Sequence, residues 1–428
     1  MLIAARRRAG SRGQGMRGSV VVLGAGMVGV SVALHLRRRG CDVVLVDRQG
    51  PGEGASFGNA GLIQREAVYP HAFPRTISEL LRIARNNSVD AYYHPLALPS
   101  YASPLLRYWW HSEPARYAQI VLAWSELIRT CCDEHLALAK GTEAMELIRS
   151  VGFLRLYNDP VALEAAIAAA EVGKRDHAVG FDVLDGDGVA AAEPHLLVRR
   201  VGALNWTDPL SVTDPHGLTL AYCRQFLDAG GRFVLGDATT LAAQGAGWKV
   251  HTQEGPVEAA RVVVALGAWA PKVTGPLGYS PPLFGKRGYH YHYGMQGNAV
   301  LNRPILDANA GFTLMPMRAG IRLTSGAEFA FTDGAKTPIQ LERAEPLARR
   351  LLPLADRVEA EPWMGIRPCM PDMMPVIGPL PRRQSVWCAF GHGHQGLTLG
   401  PTTGRLVAEM MTGEVPFLDP APYRPERF

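Results

Sequence analysis

Ser19-Val20-Val21-Val22-Leu23-Gly24-Ala25-Gly26-Met27-Val28-Gly29, followed by Asp42-Val43-Val44-Leu45-Val46-Asp47, is the stretch that decides the fold. Val20–Leu23 is the apolar, β-branched run that a strand buried on both faces requires. The residues from Met27 to Arg39 read as a helix that stops at Gly40, a good residue just past a helix end. Asp42–Asp47 reads as a second strand. Gly24 permits the tight turn, Gly26 lets a pyrophosphate approach the backbone, and Gly29 lets the helix lie close to the strands. The helix start at Met27 offers free N–H groups and partial positive charge to a phosphate. Asp47 lies 18 residues past Gly29, at the end of the second strand and next to Arg48, where a carboxylate accepts hydrogen bonds from a ribose diol. Strand, glycine turn, helix and strand in under thirty residues make a dinucleotide-binding unit.

Outward from this unit, Gly54-Ala55-Ser56-Phe57-Gly58-Asn59-Ala60-Gly61-Leu62 is a loop of small residues whose backbone can lie against a flat ring system. The chain has 428 residues, too many for one ordinary core and enough for two intertwined domains. Its 47% hydrophobic and 19% charged content is that of a globular body and argues against disorder. The formal charge of +5 comes largely from Arg6, Arg7, Arg8, Arg12 and Arg17. The remainder is nearly neutral, so nucleic acid is not an expected partner. Residues 1–18 lack the apolar run of a secretory signal and are expected to be a disordered tail, or to precede a true start at Met16. The six cysteines show no zinc spacing, and adjacent Cys131 and Cys132 suit a reducing cytoplasm. Ser19–Leu36 is long and apolar, but its spaced glycines fit a strand and buried helix better than a membrane span.

Four further segments point to a family. They are GASFGNAG at 54–61, Val263-Val264-Ala265-Leu266-Gly267-Ala268-Trp269, GIRPCMPDMMPVIGP at 365–379 and FGHGHQGLTLGPTTGRL at 390–406. With GAGMVG at 24–29, the chain resembles the D-amino-acid oxidase superfamily of flavoproteins, and within it the small subunits of bacterial D-amino-acid dehydrogenases. The resemblance implies an α/β fold: a Rossmann-like FAD domain with an inserted α+β substrate domain. The expected division is 19–95, 212–282 and 362–428 for the FAD domain, with 96–211 and 283–361 as the cap. The residues agree with such a division. Asp214 precedes a helical stretch, Gly231–Leu235 and Arg261–Gly267 read as returning strands, and 283–331 alternates in strand fashion.

The resemblance also implies site roles. Non-covalent FAD is expected on Gly24, Gly26, Met27, Gly29, Asp47, Arg48, Ser56, Asn59, Ala60, Gly61, Leu62 and Gly267. The turn and helix start at Gly391, Gly393, Gly396, Leu397 and Thr398 complete the set, aimed at the flavin's pyrimidine edge. Cys369 is expected to be a small core residue, because relatives that link FAD through cysteine place the thiol differently. Arg367, in Gly365-Ile366-Arg367-Pro368, sits between apolar neighbours where a charge needs a reason. A guanidinium holds a carboxylate by two parallel hydrogen bonds. The structural alternative is an ion pair to Asp372 or Glu361. His392 and His394 stand at i, i+2 with no acid or cysteine beside them, so no metal is expected. His394 is kept as a substrate contact. Arg287-Gly288-Tyr289-His290-Tyr291-His292-Tyr293 alternates with period two, so tyrosines share one face of a strand and histidines the other. Tyr289 is a candidate to help Arg367; the pattern leaves open which face lines the pocket.

The expected reaction is FAD-dependent oxidation of a small amino or imino acid, of the D-amino acid or D-hydroxyproline type. Hydride passes from Cα to flavin N5, and the imino acid then hydrolyses to a 2-oxo acid. The electron acceptor is a quinone, another carrier or O2. The alternatives are an N-methyl amino-acid (sarcosine-like) oxidase or demethylase, and a flavin subunit that works only with partners. An NAD(P)-linked reductase fits less well, since only one glycine unit is present. The aromatic segment 92–124 is either the core of the cap or a contact surface for a partner subunit. The expected location is the cytoplasm, with a peripheral place at the inner face of the membrane left open.

Overall fold

The computed structural model describes residues 18–428, so the expectations for the N-terminal tail lie outside the described residues. Two large sheets carry the architecture. The first has eight strands in the spatial order 255–259, 247–252, 232–244, 42–47, 19–23, 261–264, 383–390, 376–380. Its five central strands run parallel. Val20 to Leu23 are essentially inaccessible on both faces, as the unbroken apolar run requires. The carboxyl ends of these strands lead into Gly24, Asp47, Ala265–Gly267 and Gly391, which therefore gather along one sheet edge. That edge is where open α/β sheets bind ligands.

The helix Met27–Arg38 covers this sheet and packs against Gly400–Thr412. The close approach depends on glycine. A Cβ on Gly404 would lie 2.6 Å from the carbonyl carbon of Ser31, and one on Gly29 would lie 1.8 Å from the carbonyl oxygen of Gly24. The helices Pro114–Arg129 and Cys131–Ala139 share this core through Trp124, Leu127, Ile128 and Leu138. They belong physically with the dinucleotide half, although their aromatic composition suggests a cap. Aromatic content marks burial but not the partner.

The second sheet has eleven strands and is built around Phe284–Met295. Gly320–Thr324 and Ala327–Phe329 pair along one edge of that strand, Trp363–Cys369 and Leu354–Arg357 along the other. The helix Ile339–Leu351 covers one face. Tyr289, Tyr291 and Tyr293 pack there against Leu341, Ala344, Ala348 and Leu351. The opposite face, carrying Lys286, Gly288, His290 and His292, is turned to the dinucleotide half. A small sheet of Leu62–Ile63, Leu210–Val212 and Ile148–Arg149 lies between the halves.

Candidate active site

The amino end of the helix Met27–Arg38 has Gly26 as its cap, no capping side chain and no acidic residue in its first turn. Its partial positive charge is left for an external anion. Gly24 adopts φ +105°, and a Cβ there would lie 2.5 Å from the carbonyl oxygen of Ala265, so only glycine fits the turn. Ser56 Oγ accepts from the Met27 N–H at 2.9 Å and brings the 54–61 loop onto the helix start. Asp47 ends its strand and accepts from the Ala25 N–H at 2.7 Å and the Gln49 N–H at 3.1 Å. Each carboxylate oxygen keeps a lone pair for a ribose hydroxyl. Arg48 is exposed, with its guanidinium 5.2 Å from the Trp269 ring. Leu62 is buried, while Asn59, Ala60 and Gly267 are half-exposed. A Cβ on Gly267 would touch little besides Pro368. These segments bring glycine backbone, a free helix amino end and a carboxylate to one sheet edge, the groups that bind a dinucleotide's pyrophosphate and ribose.

The C-terminal turn is tied to the same edge. Thr398 Oγ1 donates to the Leu62 carbonyl at 3.2 Å and accepts from the Gln64 N–H at 3.3 Å. The buried ring of His135 lies 2.8 Å from the Leu397 carbonyl through Nε2, and 3.0 Å from the Tyr222 hydroxyl through Nδ1. Burial pulls the His135 pKa down to about 4, so at neutral pH Nε2 donates and Nδ1 accepts. The regular helix begins at Gly400 rather than Leu397, with Pro401 in its first turn, no capping side chain and no acid there. Gly391 and Gly393 take φ +86° and +58°, and Gly396 leaves open space. The Gly393 N–H donates to the Pro368 carbonyl at 2.7 Å, which joins this turn to the strand of Arg367. The two histidines diverge. His392 is buried, bonds Thr403 Oγ1 at 2.9 Å and is pulled down to about 3 by burial. The His394 ring lies tilted against that of His71, with centroids 4.9 Å apart.

Arg367 is in register opposite Lys286 on the neighbouring strand, so both side chains leave the same face. The Arg367 guanidinium lies over Gly288, where a Cβ would come within 2.4 Å of it. It donates to the carbonyls of Gly326 at 2.7 Å and Ser325 at 3.4 Å. No carboxylate reaches it among the described residues: Asp372 is paired with Arg427 at 2.7 Å, and Glu361 is exposed. A half-exposed arginine held by two carbonyls and lacking an acid is prepared for an incoming carboxylate.

Tyr289 does not join Arg367. It stands on the helix-covered face, and its hydroxyl donates to Glu328 Oε2 at 2.6 Å. Arg287 Nε reaches the same oxygen at 2.7 Å and the Tyr289 hydroxyl at 3.1 Å. Both partners are sealed, with side-chain exposures of 1% and 0%. The strand period placed the tyrosines together correctly, but the helix Ile339–Leu351 took that face for the core.

The residues around Arg367 that sequence reasoning missed are His71, Tyr108, Lys286 and Trp363. Lys286 stood in plain view at i−2 from Gly288 on the histidine face. His71 and Tyr108 carry no local signal, because chain folding alone brings them there. The Tyr108 hydroxyl donates to the His71 carbonyl. Surrounding protein and the nearby cations Lys286 and Arg367 hold the His71 and His394 rings below their ordinary pKa. Burial likewise lowers the pKa of Lys286 and Arg367. Trp363 stacks on His290 at 5.0 Å with an interplanar angle of 18°. Its indole covers Gly58, where a Cβ would fall 2.2 Å from the ring. The flat ring met by the small-residue loop at this point is therefore the protein's own. Arg322 reaches the Asn59 carbonyl and donates through Nε to His292 Nε2 at 3.0 Å. His292 Nδ1 contacts Glu359 in turn, so this chain of contacts steadies the loop.

A parallel sheet with a glycine-lined edge, facing a strand-built wall of cations, is the arrangement of a dinucleotide-dependent enzyme acting on an anionic substrate. Residues 19–410 match the FAD dependent oxidoreductase family, and the chain belongs to it. It is 31% identical to a D-amino acid dehydrogenase of Cereibacter sphaeroides, over 96% of this chain and 95% of that protein. It is 29% identical to a D-amino-acid oxidase of Bradyrhizobium diazoefficiens, over 96% and 98% of the two chains. Among solved structures, glycine oxidase from Geobacillus kaustophilus superposes with a TM-score of 0.71 at 20% identity, covering 96% of this chain and 98% of that one. Iminodiacetate oxidase from Chelativorans sp. BNC1 gives 0.68 at 22% identity, covering 95% and 98%.

Proposed function

We propose that the protein oxidises the C–N bond of a small D-amino or imino acid whose carboxylate is held by Arg367. The observation that carries this reading is Arg367 itself, accessible, fixed by two carbonyls and without an acid partner. Relatives named D-amino acid dehydrogenase and D-amino-acid oxidase, aligned over nearly the whole chain, support the D configuration. FAD supplies the hydride acceptor. Gly24, Gly26, Met27 and Gly29 hold its pyrophosphate, Asp47 its ribose, and the 391–398 turn the far end. Burial pushes the Cys369 thiol up, in keeping with a cofactor held without a covalent bond.

The protein's own contribution is orientation and field. Arg367 fixes one end of the substrate and thereby its Cα–H. Arg367 and Lys286 together disfavour a third positive charge, so the substrate amine sheds its proton and keeps the lone pair that the oxidation needs. The imino product then hydrolyses in water. The test is to reduce the flavin without oxygen using a panel of D-amino acids, D-hydroxyproline, proline and sarcosine. Bleaching by D-amino acids but not their enantiomers is the expected outcome. An Arg367→Ala protein that matches wild type on the same substrate would sink the clamp.

Electrons then leave to a quinone, another carrier or O2. No helix among the described residues is long and apolar enough to cross a membrane. The helix Ile77–Ala84 buries none of its residues, and Ile77, Leu80 and Leu81 are exposed. Nearby, Arg75 lies 4.2 Å from the Trp109 ring and Arg116 lies 3.7 Å from that of Trp110. This mixture of exposed apolar and basic aromatic groups suits peripheral contact with an anionic lipid surface. Vesicles containing anionic lipid should bind the protein, and an Ile77→Ser, Leu81→Ser variant should bind them less. Equal binding of both proteins would remove this helix from the contact.

A further inference from the structure

We propose that Lys286 is a second anion-binding group in the substrate recess, selecting amino acids that carry a second acidic group, of the aspartate or glutamate kind. The inference rests on the reading of Arg367 as the carboxylate clamp.

Lys286 makes no hydrogen bond and no ion pair among the described residues. Its ammonium lies against aromatic rings: that of Tyr108 at 4.7 Å, and those of Phe284 and Phe329 each at 5.5 Å. Such contacts offset part of a desolvated cation's cost but do not neutralise it. The next residue shows how this sheet treats a charge it needs for folding, since Arg287 is bound by Glu328 at 2.7 Å and by carbonyls at its other nitrogens. Lys286 and Arg367 have no such anion, although they are paired in register on one face. Like charges placed opposite each other are destabilising, so an arriving anion relieves both.

One carboxylate does not serve the two cations equally. The Arg367 guanidinium leans over Gly288, while the Lys286 ammonium leans toward Phe284. Gly288 and Lys286 are two residues apart along the strand, about 7 Å. That spacing separates the charges into two stations, which a four- or five-carbon dicarboxylate can bridge with one carboxylate at each. Arg367 takes the α-carboxylate and Lys286 the side-chain carboxylate. The aromatic walls around Lys286 exclude water from the second station and strengthen the pairing.

The test uses the FAD-loaded protein and two inert probes, succinate and butyrate, titrated by perturbation of the flavin spectrum and by thermal shift. The wild type should bind succinate at least about 10-fold tighter than butyrate, the scale of one charge-assisted pair. Lys286→Met should bring that ratio close to one, and Lys286→Arg should restore it. The ratio of kcat/KM for D-glutamate over D-glutamine should move in the same way. A wild type that binds both probes alike overturns the inference, even if Lys286→Met fails to fold. So does a Lys286→Met protein that keeps the ratio. A succinate preference lost in Lys286→Met, in a protein that no amino acid reduces, leaves the second station standing and removes the proposed reaction. Turnover of D-amino acids without any acidic preference does the reverse.

Discussion

The two faces of the Phe284–Met295 strand treat charge in opposite ways. On one face Arg287 and Glu328 are sealed, with Arg287 bound to the carbonyls of Phe331, Gly334 and Ala335, and the Tyr289 hydroxyl donating to Glu328 and accepting from the Thr337 N–H. On the other face Lys286 and Arg367 are accessible and have no anion. Both arrangements hold cations in low-dielectric surroundings, where an unmatched charge is costly. A cation matched within the chain serves the fold. One left unmatched is free to take an anion from outside the chain. Burial alone would have ranked Arg287 as the more interesting arginine; the presence or absence of an acid reverses that order.

The largest expected effect lies on the sealed face. Glu328→Ala leaves Arg287 buried without its anion and should destabilise the protein by about 3–5 kcal/mol, read from denaturant unfolding. A loss below about 1 kcal/mol would mean that the pair is not what holds that face. On the open face the order of effects inverts. Arg367→Ala should leave the unfolding midpoint and flavin content near those of wild type, yet lower kcat/KM by about 3 kcal/mol, roughly 100-fold. A large stability loss without a specific kinetic loss would make the two arginines equivalent and break the contrast.

Acid should act on the buried histidines of the cofactor half. His135 and His392 have folded pKa values of about 4 and about 3, against an ordinary 6.5. Between those limits the unfolded chain binds the extra protons, so folding stability is full above pH 6.5 and falls as pH drops. The slope is about 1.4 kcal/mol per pH unit for each ring. His135 supports the Leu397 carbonyl, so flavin release should accompany this loss. A stability profile flat from pH 6.5 to 4.5 would show that these rings are not held neutral. The smallest effect is expected at Cys369, where replacement by alanine should change stability by about 1 kcal/mol or less. Acid precipitation should free the flavin from both proteins; flavin retained only by wild type would reveal a bond to that thiol.

The dinucleotide half was legible because local rules and close contacts select its residue types together. Gly24 and Gly29 have no room for a Cβ, Val20–Leu23 is buried on both faces, and the spacing from Gly29 to Asp47 is that of one helix and one strand. The substrate half was legible only to its period. Alternation across 287–293 separated the tyrosines from the histidines, but a strand's two faces are equivalent until something packs on one of them. The helix Ile339–Leu351 claimed the tyrosine face, and with that Tyr289 left the site and Lys286 entered it.

The sequence by itself determined the nucleotide turn and the family and singled out Arg367 as a charge between apolar neighbours, because each depends on residues close together in the chain or on a motif that sterics constrain. Only the tertiary structure decided which acids reach which cations. It paired Asp372 with Arg427 and Glu328 with Arg287, and left Arg367 and Lys286 with neither. These pairings act across 41 and 55 residues of chain and depend on distances of a few ångströms, which no periodicity encodes.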